Sequence, residues 1–148
     1  MSPLKKVFGA VELEYNPKNN RMRAVLLVDL DNPVIKLCME GTRAEFEGRI
    51  EDARALYQKA WETSKDDYDA CVAAHYVARF QVNPEDILFW NLKSLIYANR
   101  VNDGRVKDFF PSLYLNLGRS HELLGDQAKA QRYYDLAAGL GVVHRRNP

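Results

Sequence analysis

The sequence predicts an all-α fold, an α–α superhelix of about three helix pairs prefaced by a short N-terminal β-hairpin, and three observations predict it. Shifted against itself by 77 residues, the chain aligns 37–60 with 114–137, and six of those 24 positions are identical. They are Gly41/Gly118, Glu45/Glu122, Gly48/Gly125, Ala53/Ala130, Tyr57/Tyr134 and Ala60/Ala137. Recurrence at a fixed spacing marks stacked supersecondary units. Small and apolar residues also keep a helical rhythm, in Val34, Leu37, Cys38, Gly41 and Ala44, and again in Ala53, Leu56, Tyr57, Ala60 and Trp61. The glycines, finally, fall into two kinds. Gly48 and Gly125 lie between the halves of a copy, where a helix end takes a left-handed residue. Gly41 and Gly118 lie inside first helices, where glycine costs about 1 kcal/mol against alanine and room for a neighbouring helix must offset the loss.

The elements follow in chain order. Residues 1–33 stand outside the repeat. Within them "VELEY" alternates, "RMRAVLLVDL" is strand-like and "NPKNN" is turn-rich, which reads as a β-hairpin. A lone hairpin is marginal in water, so it is expected to lie against the first helices or another chain. "DLDNP" ends it, with Asp31 or Asn32 capping a helix that starts at Pro33. "DDYDACVAAHYVARFQ" and "PEDILFWNLKSLIYANRV" make a second, less regular pair, with Pro84 at a favoured helix start. "VNDGR" at 101–105 is a turn, and Pro111 opens the third pair. The expected organisation is an extension at 1–33, repeats over 34–141 and a basic tail at 142–148.

At 148 residues, with 47% hydrophobic and 28% charged residues, the composition is that of one globular domain. A formal charge of +1 argues against a nucleic-acid partner. No apolar run reaches the length of a membrane span, and "MSPLKKVFGAVELEY" does not read as a signal peptide. Cys38 and Cys71 without an export signal point to reduced thiols and a cytoplasmic location.

"YLNLGRSHELLGDQAKAQRYYDLA" resembles the tetratricopeptide repeat family. Tyr114 stands at the family's Trp position, Leu117–Gly118 match its Leu–Gly pair, and Ala130, Tyr134 and Ala137 match its second helix. His121 replaces the usual Tyr. The first copy departs further, with Glu40 at the Leu position and Ala44 at the Tyr position. The resemblance covers roughly 34–141 and implies that first helices line a concave groove for extended peptides or partner helices. Groove candidates are Thr42, Glu45 and Phe46 in the first copy, His75 and Arg79 in the second, and Asn116, Arg119 and Glu122 in the third. Arg79 and Arg119 suit a carboxylate or phosphate through forked hydrogen bonds. Chaperone-binding members hold a terminal carboxylate with Lys and Asn, then Lys and Arg. This chain has Cys38 and Thr42, then Ser112 and Asn116, so a chaperone tail is not expected.

Cys71 and His75, four apart on one helix face, with Cys38 one repeat earlier, raise zinc ligation. Their spacing matches no compact zinc motif and buried cysteines commonly pack, so no metal and no cofactor is expected. No Gly-rich phosphate loop or Gly-x-Ser-x-Gly elbow occurs, and His75, His121 and His144 stand apart in sequence, so no catalysis is expected. The function expected is protein or peptide binding in the groove. The alternatives are an anionic-ligand sensor built on His75, Arg79, Tyr114 and Arg119, or self-assembly. The last helix, with Tyr133, Leu136 and Leu140 and with Val142 and Val143 beyond it, is followed only by "GVVHRRNP", which predicts a homodimer in which a second copy, or its hairpin, covers that face.

Overall fold

The computed structural model describes residues 4–8, 11–16, 18, 21–24 and 31–142. The rest of the "RMRAVLLVDL" run, 25–30, lies outside them, as do 143–148 of the expected tail and His144. Three backbone strands, β1 (Leu4–Phe8), β2 (Val11–Asn16) and β3 (Arg21–Ala24), pair antiparallel in that order, with Leu4 opposite Tyr15 and Leu13 opposite Ala24.

From Pro33 the chain is helical, and the fold is of the all-α class. Helix α1 (Pro33–Phe46) starts where Asn32 Oδ1 accepts from the Val34 N–H at 2.9 Å, with proline in the first turn. It ends at Gly48, whose φ of 76° carries the chain through the left-handed region. There the Arg49 N–H reaches back to the Ala44 carbonyl at 2.8 Å and the Gly48 N–H to the Glu45 carbonyl at 3.1 Å. Helix α2 (Ile50–Thr63) returns along α1. Helix α3 (Asp67–Ala78), capped by Asp66, is buried at every position from Tyr68 to Ala78, as a helix packed on all sides must be. Asn83 caps α4 (Pro84–Arg100).

The expected turn at 101–105 runs on into a 3₁₀ helix, Gly104–Phe109. Asp103 caps it, and burial of Val106 and Phe109 holds it down. Helices α5 (Phe110–Leu123) and α6 (Gln127–Gly139) complete the array. Between them Gly125, at φ 79°, repeats the turn at Gly48, with the Asp126 N–H on the His121 carbonyl and the Gly125 N–H on that of Glu122, each at 2.9 Å. Each helix packs on the next, and α1 also packs on α3. No helix among the described residues is long and apolar enough to cross a membrane.

The 77-residue recurrence is physical. A Cβ added at Gly41 would lie 2.7 Å from Tyr57 Cδ1 and 2.9 Å from Cζ, and one added at Gly118 would lie 2.6 Å and 2.8 Å from the same atoms of Tyr134. Each ring thus fills the space that a side chain at that glycine would take. Each hydroxyl then donates to the carboxylate four residues beyond that glycine, Tyr57 to Glu45 and Tyr134 to Glu122. The buried core is built on Tyr57, Tyr68, Phe109, Ile35, Leu113 and Leu117.

Candidate functional site

Polar side chains tie each first helix to the next. Arg79, at the end of α3, donates from Nη2 to Glu45 Oε2 on α1 at 2.8 Å. That carboxylate also accepts from Tyr57 OH, whose pKa is raised first by burial and then by this bond. Asn116 Nδ2 on α5 lies 3.3 Å from His75 Nδ1 on α3. Burial first, and then the charge of Arg79, push the His75 pKa down to about 3. The imidazole is therefore neutral at physiological pH.

Between α3, α4 and α5 these residues border a cavity of about 190 Å³. His75 and Arg79 line it from α3, Asn91 from α4, and Asn116, Arg119 and Ser120 from α5. Asn91 Nδ2 donates to Ser120 Oγ at 3.0 Å, and Ser120 Oγ donates to the Asn116 carbonyl at 2.7 Å. Asn91 Oδ1 is buried with no partner among the described residues. An orphaned acceptor of this kind costs about 1–3 kcal/mol unless a donor meets it. Arg119 is exposed and has no carboxylate within ion-pair distance among the described residues. The Ser120 hydroxyl proton is committed to a backbone carbonyl. A larger hollow of about 560 Å³ beside α1 and α2 carries charges of both signs, and its Arg49 is already paired with Glu47 and Asp52.

Of the groove residues expected from sequence, the structure brings His75, Arg79, Asn116 and Arg119 to this cavity, with Glu45 bound to Arg79. Phe46 is half exposed at the end of α1, and Glu122 holds the Tyr134 hydroxyl at 2.9 Å. Thr42 is not on the surface: it is 1% exposed, donates to the Cys38 carbonyl at 2.9 Å and sits 3.2 Å from Tyr57 OH. Its hydroxyl braces the core, because the second-helix tyrosine that packs on Gly41 also covers the next residue. Tyr114 is not at the cavity either. Its ring lies by Phe110 and stacks on Tyr133 of α6, at centroid distances of 5.9 and 6.3 Å. Asn91 and Ser120 were missed. The available signal was a polar residue at an inward position of a helical rhythm. Cys38 and Cys71 are both buried, with the Cys71 thiol pushed up to about 12 by burial, and no cluster of metal-ligating side chains occurs among the described residues. No protein-family model, curated protein or solved structure matches the chain.

Proposed function

We propose that the chain is a non-catalytic protein- or peptide-binding module of tetratricopeptide type. In this reading the helix pairs wind into an α–α superhelix with the three N-terminal strands, one more than a hairpin, as an extension. The face formed by α1, α3 and α5 receives an extended acidic partner, one of whose anionic side chains enters the cavity between α3, α4 and α5. The observation that carries this is the Arg119 guanidinium beside the unsatisfied Asn91 Oδ1 at one small hollow, with Arg79, tied to Glu45, adding positive charge at its edge. The Arg119 guanidinium supplies forked donors to an oxyanion, and Asn91 supplies an acceptor for a neighbouring N–H. Size separates this from the sensor reading: about 190 Å³ is below the roughly 300–1,000 Å³ of a pocket that engulfs a free small molecule, and suits one side chain of a longer ligand.

The test is a fluorescence titration with arrayed acidic peptides against wild type and Arg79→Glu/Arg119→Glu. Reversing both charges should weaken binding by about tenfold or more, as the loss of desolvated charge pairs does. Equal affinity of the two proteins for the same peptides would refute the assignment. Saturation by a free dicarboxylate as tightly as by any peptide would favour the sensor instead.

A further inference from the structure

The outer face of α4 carries a charge pattern that the cavity does not use. Asp86, Phe89, Lys93, Ile96 and Arg100 follow one another at spacings of three, four, three and four residues, so they form a single stripe along the helix. At 1.5 Å per residue the stripe is about 21 Å long. Its apolar members stand in solvent, with Phe89 51% and Ile96 49% exposed. Its charges are unspent: none of Asp86, Lys93 and Arg100 has an ion pair among the described residues. Lys93 instead lays its ammonium over the rings of Trp61, Phe89 and Trp90, at 4.8, 4.9 and 5.1 Å from their centroids, and Arg100 lies 5.2 Å from the centre of Tyr97.

The stripe reads as its own complement when reversed about Lys93. Seven residues before Lys93 is Asp86 and seven after it is Arg100; four before is Phe89 and three after is Ile96. The geometry points to a second copy of this chain docked antiparallel along α4, with a two-fold axis at Lys93. Asp86 of each copy then meets Arg100 of the other, and Phe89 of each comes within one residue's rise, about 1.5 Å, of level with Ile96 of the other, so every contact occurs twice and assembly closes at two. A parallel arrangement would set Asp86 on Asp86 and Arg100 on Arg100, and is disfavoured by like-charge repulsion. The two Lys93 ammoniums avoid each other at the axis because each folds back onto its own aromatic rings. This interface lies on a second helix, apart from the cavity and apart from the exposed Leu136 and Leu140 of α6.

Sedimentation velocity at micromolar concentration tests the inference. Wild type should be a dimer. Asp86→Arg alone and Arg100→Asp alone should each raise its dissociation constant by about tenfold or more, since each turns two attractive pairs repulsive. The double reversal should restore it to within about threefold of wild type, because the pairs re-form with their signs exchanged. All four substituted positions in the symmetric interface are on a helix surface, so circular dichroism should be unchanged. Leu136→Glu/Leu140→Glu should leave the dimer intact. The inference fails if wild type is monomeric up to about 100 µM, if the double reversal is no tighter than the single variants, or if only the α6 variant dissociates the dimer.

Discussion

Alanine in place of Gly41 should reverse the usual sign of a glycine-to-alanine change in a helix. At an unencumbered interior position the exchange stabilises by about 1 kcal/mol. Here the new methyl would lie within 2.9 Å of three atoms of the Tyr57 ring, closer than real side chains approach. The ring has nowhere to go. It is 1% exposed, with Tyr76 and Phe80 at centroid distances of 4.9 and 5.5 Å, and its hydroxyl is anchored on Glu45. Overpacking a filled core costs about 1–3 kcal/mol, and contact with a pinned ring belongs in the upper part of that range. Less the helix-propensity gain, the net loss is about 1–2 kcal/mol, or about 2–8 °C in Tm for a chain of this size. Urea unfolding followed by circular dichroism measures it. The decisive comparison is the same substitution in a Tyr57→Ala background, where the obstruction is gone and Gly41→Ala should stabilise. Stabilisation by Gly41→Ala in the wild-type background, or an equal loss in both backgrounds, would refute the close-approach argument. Gly118→Ala against Tyr134 should behave alike, because the two sites have the same geometry.

Gly48→Ala should cost about 1 kcal/mol by a different route, since nothing lies within 4 Å of its Cβ but its φ is 76°; Gly104→Ala, open and without that constraint, is the neutral control in the same urea series. His75 should make stability fall as pH drops. Its folded pKa is depressed from 6.5 to about 3, so between those values the unfolded chain binds a proton that the folded chain refuses. Stability therefore rises with pH through that window, is complete above it, and at pH 5 is lower by about 2 kcal/mol; His75→Gln should lose this difference in urea melts at pH 7 and pH 5. Cys38 and Cys71 should react with a thiol reagent only at the rate of unfolding, because burial raises both pKa values; fast labelling of the native protein would contradict their placement.

The cap at Asp31 or Asn32, the starts at Pro33 and Pro84 and the left-handed Gly48 and Gly125 were legible because helix starts and stops are decided within a few residues by hydrogen bonds and backbone sterics, whereas the Asn83 cap was not picked. The recurrence itself was legible because one packing problem, a tyrosine ring seated on a bare helix, was solved twice with the same residues. The 3₁₀ helix at Gly104–Phe109 was not, since its apolar residues order only when Val106 and Phe109 find the core. The candidate site was half legible. His75, Arg79, Asn116 and Arg119 could be picked as polar residues on first helices, but the same rule also picked Thr42, which a ring from the next helix covers.

The order of letters alone determined the helix starts at Pro33 and Pro84, which glycines turn the chain and which make room, and the 77-residue recurrence. Those choices depend on neighbours along the backbone. Only the tertiary structure decided that Asn91 and Ser120 meet α3 and α5 at one hollow, that Arg79 is tied to Glu45, and that Lys93 lies on aromatic rings from two helices. Asn91 and Ser120, Arg79 and Glu45, and Lys93 and Trp61 stand 29, 34 and 32 residues apart in the chain, and they meet only because packing brings whole helices side by side.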